Sequence, residues 1–539
     1  MQSGDLPGQL PASTLLMRDR DFLKMLVSEG SAGVGSQVSL LALPLAAIVL
    51  LHSSAFEVGA LAALGTLPYL LFGLHAGVFL ERVRRRPVLL YSALGRAAVL
   101  TVVPISWALG LLDIEVLYVV AFLVGLMTTF YDIAWQAYLP SLVGTSRLHE
   151  ASARLTLCDS GSQLVGPGLA GFLIRALSAP LALLVDALGF VVAGLSVRRI
   201  RRPEPAVVVP EDDSTMREQV AEGLGYVARH PLLRWTAVYT GAVNGVSAAL
   251  NVVLVLFEVR VLHFSAGTIG VIFLLGNLGF VLGAPLVRRV TARLGVGRTM
   301  LLAALLGGTA PALFPLAKPT DAIPVLVVGW FCRALASPFY GVNQISLRIA
   351  ITPSRLLARM TGTMKFLVMG AMPVGSFLGG VLAGSFGSRF TLWLIAAVSA
   401  SSVLAVAMTK LRKVSTPPHE LRPEMVVGLT PSSPKPVRHA TVLLTRGSEP
   451  RPDGGEANSA GGLTPEPGRK DTRTNRSAPT FAHVAAGWLG GRSGGGHISL
   501  KGDRMSTVPY SVSDTDAPSR GQGSSQTPST AHGRHAGEP

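Results

Sequence analysis

Long apolar stretches, broken at near-regular intervals by short polar ones, fill most of the chain. Apolar runs of about 20 residues with few internal charges recur from Phe22 to Leu411, the length a helix needs to cross a bilayer core. Their punctuation predicts twelve helices, at roughly 22–51, 57–80, 87–110, 114–140, 150–174, 178–198, 232–260, 266–288, 298–317, 322–350, 356–385 and 389–411. The longest connection between them, 199–231, opens on Arg198-Arg199-Ile200-Arg201-Arg202-Pro203 and passes the acidic patch Glu211-Asp212-Asp213. It ends in a predicted amphipathic helix from Ser214 to Arg229, which divides the helices into six plus six.

The two sets echo each other. Gly77-Val78-Phe79-Leu80-Glu81-Arg82 returns 206 positions later as Gly283-Ala284-Pro285-Leu286-Val287-Arg288, and Pro167 has a counterpart at the same offset in Pro373. One shared offset suggests a repeat of six helices, the layout of many secondary transporters. The expected fold is therefore an all-α membrane protein of twelve transmembrane helices in two pseudo-repeated six-helix bundles. Its expected parts are an N-terminal segment (1–21), a first bundle (22–198), a linker with an amphipathic helix (199–231), a second bundle (232–411) and a tail (412–539). In the tail Gly, Pro and Ser fill 48 of the 127 positions from 413 on, so disorder is expected there. The first 14 residues lack a basic stretch feeding an apolar one, and a cleaved signal peptide is not expected.

Composition agrees with the pattern. Of 539 residues, 49% are hydrophobic and 14% charged, against about a quarter charged in soluble domains; the mean hydropathy is +0.46. A string of soluble domains is thereby excluded. The two cysteines, Cys158 and Cys332, both lie in apolar runs, so neither a disulfide framework nor a cysteine zinc site is expected. No cofactor is expected either.

The net charge of +16 would suit a nucleic-acid binder, but its placement argues otherwise. The surplus of basic over acidic residues is 12 in 1–412 and only 4 in 413–539. Alternate loops differ sharply: one set holds Arg82, Arg84, Arg85 and Arg86, Arg147 and Arg154, Arg198, Arg199, Arg201, Arg202, Arg217 and Arg229, Arg288, Arg289 and Arg293, and Arg355 and Arg359. The other holds Arg175, Arg260, Lys318 and Arg389. The positive-inside rule puts the first set, and both termini, in the cytoplasm of a plasma-membrane protein. The basic charge orients helices, and a lipid bilayer rather than nucleic acid is the partner it implies.

Enzyme chemistry finds little to stand on. No Gly-Lys pair occurs, which removes a phosphate-binding loop, and there is no HExxH. Asn475-Arg476-Ser477 fits a glycosylation sequon but falls in the tail, expected to be cytoplasmic.

Two motifs carry more. The loop after the second predicted helix reads Gly77-Val78-Phe79-Leu80-Glu81-Arg82-Val83-Arg84-Arg85-Arg86. It resembles the signature loop of the major facilitator superfamily, glycine-x-leucine-x-aspartate-arginine-x-glycine-arginine-arginine. Gly77, Glu81, Arg82, Arg85 and Arg86 match it in kind, while Glu81 stands for the usual aspartate and Arg84 for the second glycine. Physically, a glycine lets two helices approach closely, and an acid at a helix end can face the positive N-terminus of a neighbour. The fifth predicted helix carries Gly166-Pro167-Gly168-Leu169-Ala170-Gly171, similar to the antiporter motif of drug exporters in that superfamily. Proline bends a helix and small residues such as Ala170 and Gly171 permit tight contact, which suits a face on which two bundles rock.

Further stretches extend the resemblance: Leu15 to Phe22, Phe130 to Pro140, Asp186 to Phe190 and Pro353 to Met360. Together, over about 15–412, they are similar to the branch holding enterobactin exporters and macrolide-efflux proteins. The resemblance implies a small-molecule exporter driven by proton entry, working by alternating access and commonly as a monomer. Uptake or facilitated diffusion shares every topological feature, and a transporter-like receptor signalling through its tail is a reading from another class.

Charges inside the predicted helices are the candidates for proton coupling or for lining a substrate cavity, since burial in hydrocarbon is expensive. They are Asp159, Asp132, Arg96, Asp186 and Arg333, with Glu29 and Lys365 nearer helix ends. Each could instead belong to a structural pair.

Overall fold

The structure is a computed structural model that describes residues 16–144, 147–204, 216–352 and 356–408. The tail, the acidic patch at 211–213 and the Pro353-Ser354-Arg355 stretch lie outside the described residues. Those described are helical, with no strand among them. In order the helices are α1 (Arg20–Leu45), α2 (Ala55–Glu81), α3 (Arg85–Ala108), α4 (Ile114–Val143), α5 (Leu148–Leu177), α6 (Ala179–Arg198), α7 (Met216–Arg229), α8 (Pro231–Arg260), α9 (Ala266–Leu294), α10 (Val296–Thr309), α11 (Ala322–Ile351), α12 (Leu357–Phe386) and α13 (Ser388–Met408).

Local chemistry sets these limits. The Asp19 carboxylate accepts the Asp21 and Phe22 N–H groups at 3.0 and 3.3 Å and starts α1, and Ser54 with Glu57 forms a capping box that starts α2. Gly295 and Gly387 end α9 and α12 at φ of 80° and 81°, a turn that costs glycine nothing. Two predicted segments are less regular than expected. After Pro44 the first relaxes into a π-helical turn, Ala46–Leu50, and the ninth tightens into a 3₁₀ turn, Ala310–Leu316, which holds Pro311 and Pro315. Proline removes the N–H that an α-helix would need in both places.

Among the described residues, ten helices are long and apolar enough to cross a membrane by length and composition. Two predicted spans are not among the ten. Asp159, Gln163 and the surrounding serines dilute α5, and the apolar part of α13 is the shorter stretch Ser388–Val403. Large apolar side chains that do not line the cavity described below, including Val119 (59% exposed), Phe172 (65%) and Leu188 (62%), face outward, as a lipid-facing surface requires.

Helices α1–α6 pack on one another and so do α8–α13. In the first group α1 pairs with α5 and α6, α4 with α2 and α3, and α3 with α6. In the second, α8 pairs with α12 and α13, α11 with α9 and α10, and α10 with α13. The groups meet along two seams, α2 with α12 and α5 with α9.

Both seams are tight at one end, the end holding the 51–54 and 261–265 turns. A Cβ on Gly380 would stand 2.6 Å from Gly59 Cα, and one on Gly171 would stand 2.9 Å from Gly270 Cα. The Phe56 and Phe377 rings meet edge-on at 5.5 Å there, and the Arg260 guanidinium donates to the Ser53 carbonyl. Toward the other end the helices part: a Cβ on Gly73, Gly77, Gly161 or Gly362 would meet nothing within 4 Å. The bundle is closed at one end and splayed at the other.

Candidate functional site

Between the groups lies a cavity of about 850 Å³, lined by residues of α1–α5 and of α8–α13. Apolar positions such as Leu41, Val58, Leu61 and Val255 line it together with Ser, Thr, Asn and Gln side chains, two tyrosines of the second group and two arginines. The volume suits a drug-sized molecule.

Its polar lining is hydrogen-bonded within the protein. The Trp330 indole donates to Asn277 Oδ1 (2.9 Å), and Asn277 Nδ2 donates to the Gln163 carbonyl (2.8 Å), a bond that ties α9 to α5 across the seam. Gln344 donates to the Thr240 hydroxyl (2.8 Å), which also bonds the Tyr340 hydroxyl (2.9 Å). None of these side chains was a candidate from the sequence, because isolated amides and aromatics in apolar helices look like packing until a cavity shows which face they share.

Of the sequence candidates, Arg96 and Arg333 line the cavity. Arg96 is 5% exposed and pairs at 3.0 Å with Asp186, which is wholly buried. Its second arm donates to the Thr128 hydroxyl at 2.8 Å, and its Cζ lies 4.0 Å from the centre of the Phe190 ring. Ser39 donates to Asp186 as well. This buried pair joins α1, α3 and α6 with its arginine at the cavity edge. Arg333 donates to the Ser247 hydroxyl at 2.5 Å and lies 6.0 Å from the Trp330 ring.

Asp132 accepts from the Tyr69 hydroxyl, and Tyr69 lines the cavity. Lys365 of the second group is within electrostatic reach of Asp132. Asp159 is exposed and accepts from Gln163 at 2.8 Å. Glu29 lies within electrostatic reach of both aspartates, and its Oε2 is buried without a partner. Three carboxyl groups from α1, α4 and α5 thus stand within electrostatic reach of one another, two of them bonded to the cavity-lining Tyr69 and Gln163.

The helix 5 motif packs against α1 within its own group and against α9 across the seam. A Cβ on Gly166 would stand 2.5 Å from Gln37 of α1; Ala170 is fully buried; and the Pro167 carbonyl lies against Gly270. The loop motif behaves differently from expectation. A Cβ on Gly77 would meet nothing within 4 Å, so no close helix approach depends on that glycine at the splayed end. The Glu81 side chain lies outside the described residues, and Arg82 is exposed.

An acid the sequence reading passed over caps the next helix instead. Glu204 accepts the Arg85 and Arg86 N–H groups at 2.8 and 3.2 Å and stands 3.8 Å from the Arg85 guanidinium. Arg86 in turn donates to the Val197 and Arg198 carbonyls at 3.2 and 2.6 Å, satisfying the end of α6. Asp21 accepts the Arg202 N–H at 3.0 Å, and Lys24 donates to the Arg199 carbonyl at 2.7 Å. The segment 198–204 is therefore stapled across the first group at its splayed end.

The profile of the Major Facilitator Superfamily matches residues 25–367 and 241–448. The chain belongs to the Major Facilitator Superfamily. It is a multi-span membrane transporter of that superfamily, and its relatives lie in the efflux branch. The chain is 28% identical over 409 residues to the multidrug efflux pump Tap of Mycolicibacterium fortuitum, covering 73% of this chain and 97% of that one. It is 25% identical over 369 residues to macrolide efflux protein A of Streptococcus pyogenes, covering 66% and 86%. Solved structures share the fold. The nucleoside transporter NupG superposes with a TM-score of 0.59 at 13% identity over 72% of this chain and 99% of that one. A bacterial homologue of the iron transporter ferroportin, in an inward-facing state, gives 0.58 at 15% over 73% and 98%.

Proposed function

We propose that this superfamily member is a proton-coupled exporter of amphipathic small molecules of the drug or macrolide kind, working by alternating access in the plasma membrane. All twelve long helices span the bilayer as two six-helix repeats with both termini cytoplasmic, so the splayed end opens to the cytoplasm. The observation that carries the reading is the cavity closed at one end between two groups whose helix pairings correspond one to one. A rocking motion that exchanges tight and splayed ends would carry the cavity across the membrane.

Cargo enters from the cytoplasmic side, rests against the apolar lining and takes hydrogen bonds from Gln163, Asn244 and Arg333. Asp132 and Asp159, bonded to the cavity-lining Tyr69 and Gln163 and within reach of Glu29, exchange protons; Arg96 and Asp186 hold α1, α3 and α6 together beside them. Multidrug and macrolide efflux among the relatives supports export over uptake. The test is substrate-dependent proton movement in proteoliposomes across a panel of antibiotics, with Asp132→Asn and Asp159→Asn alongside. Proton flux that appears only with cargo and falls in either variant is expected. Cargo flux with no proton movement would remove the coupling.

A further inference from the structure

On the cavity side of α8 the lining residues Thr240, Asn244, Ser247, Asn251 and Val255 follow one another at helical spacing. The next position on that stripe, three residues beyond Val255 toward the closed end, is Glu258. It is wholly buried, and among the described residues neither carboxylate oxygen has a hydrogen-bond partner. It stands about one turn beyond the last lining residue of α8, on the side of the closed end, and within a turn of the Arg260 bond to the Ser53 carbonyl that crosses between the groups.

The charged groups around it are occupied elsewhere. Glu57 of α2 accepts the Ser54 N–H at 2.6 Å, Arg260 is held by Ser53, and Arg389 of α13 donates to the Ala317 carbonyl at 2.9 Å. The facing parts of α1 and α12 carry no charged residue beyond Glu29 and Lys365. His52 and His263 sit in the flanking turns, and among the described residues no charged group acts on the Glu258 carboxyl. An ionised carboxylate is not tolerated in such a place, whereas a protonated one is a compact polar group of modest cost. Parting the groups at this end would bring water to Glu258 and remove the penalty on the charge.

We propose that Glu258 is a proton-binding residue of the gate at the closed end: protonated, it lets the two groups close over the cavity, and ionised, it holds that end open. The proposal rests on the alternating-access reading and adds to it a place where the outer solution sets the conformation. A proton taken from outside closes that end and returns the cavity to the inside, which is the step an exporter must complete after releasing its cargo.

The test uses the full chain in lipid nanodiscs with Cys158→Ser and Cys332→Ser, and spin labels at Leu111 (67% exposed) and Thr320, in the turns of the two groups at this end. The distance distribution is read from pH 5 to 9 for the parent, Glu258→Gln and Glu258→Asp. In the parent the short distance dominates at low pH and the long one gains as pH rises. Glu258→Gln, which mimics the protonated acid, stays short at every pH, and Glu258→Asp keeps the transition with a displaced midpoint. A transition of the same midpoint in Glu258→Gln overturns the proposal, as does a parent that stays short throughout. Failure of the export reading shows separately, as absent cargo flux in proteoliposomes while the distances still respond to pH.

Discussion

Replacing Gly380 by alanine tests the closed end with a single methyl group. A Cβ there would stand 2.6 Å from Gly59 Cα, 2.7 Å from the Ala55 carbonyl oxygen and 3.0 Å from Gly59 N. All three are backbone atoms, so no side chain can swing aside, and carbon contacts prefer about 3.5–4.0 Å. Helices α2 and α12 would have to part by about 1 Å. Overpacking of this kind costs about 1–3 kcal/mol, and only the state closed at this end bears it. The population open at this end should rise by about 5- to 150-fold. The assay places a cysteine at Ser53, 4% exposed beneath the closed end, in the Cys158→Ser, Cys332→Ser background and follows its maleimide labelling in membranes. Gly380→Ala should speed labelling at least fivefold. Gly384→Ala is the control on the same helix, because its Cβ would meet its nearest neighbour at 3.9 Å, an ordinary contact. Equal labelling rates for Gly380→Ala and the parent would refute the reasoning.

Other expectations follow from single contacts. Asp186→Asn strands the buried Arg96 and should cost about 3–5 kcal/mol, while Arg96→Leu with Asp186→Leu should recover much of it; thermal unfolding in detergent reads both. His230 accepts the Leu233 N–H at 3.5 Å at the start of α8, and burial pushes its imidazole below the usual histidine range. A depressed base stabilises the fold above the unfolded value near 6.5 and loses that stability as pH falls through the folded value, so Leu233 amide exchange should accelerate on acidification in the parent and be pH-insensitive in His230→Ala beyond its intrinsic rate. Glu204→Ala removes the acceptor for two N–H groups of α3 and should cost about 0.5–2 kcal/mol, seen as faster amide exchange at Arg85 and Arg86. Arg333→Gln should weaken cargo binding measured by calorimetry without lowering thermal stability, since its guanidinium donates to one hydroxyl, that of Ser247.

Much of this architecture was legible in the sequence because membrane solvent is so restrictive. Uninterrupted apolar runs must be helices, and the predicted limits of the second helix, 57–80, fall within two residues of Ala55–Glu81. The amphipathic helix expected from Ser214 begins at Met216 among the described residues. The motif at Gly166 and Gly171 marked the faces where helices press together, because smallness is a property the sequence displays directly. What depends on three dimensions was hidden. Glu204 lies 119 positions from the Arg85 N–H that it caps, and nothing local distinguishes it from a solvated linker acid. Glu258 was not among the intramembrane charges singled out from the sequence, because it lies two residues from the predicted end of its helix, and its complete burial shows only in the packed bundle. Gly77 carried the expected motif, yet no close helix approach depends on it, since contact at that position depends on which end of the bundle is closed.

The claim at the centre is that cargo leaves through this cavity in exchange for protons. Its most direct test is a vesicle experiment in which the full chain is reconstituted, a macrolide or another drug is supplied on one side, and the opposing pH is recorded. Proton movement that starts only on cargo addition, reverses when the cargo gradient is reversed, and falls at least tenfold in Asp132→Asn or Asp159→Asn is the expected result. Cargo that crosses at an undiminished rate with the pH gradient collapsed and with both aspartates replaced would contradict it.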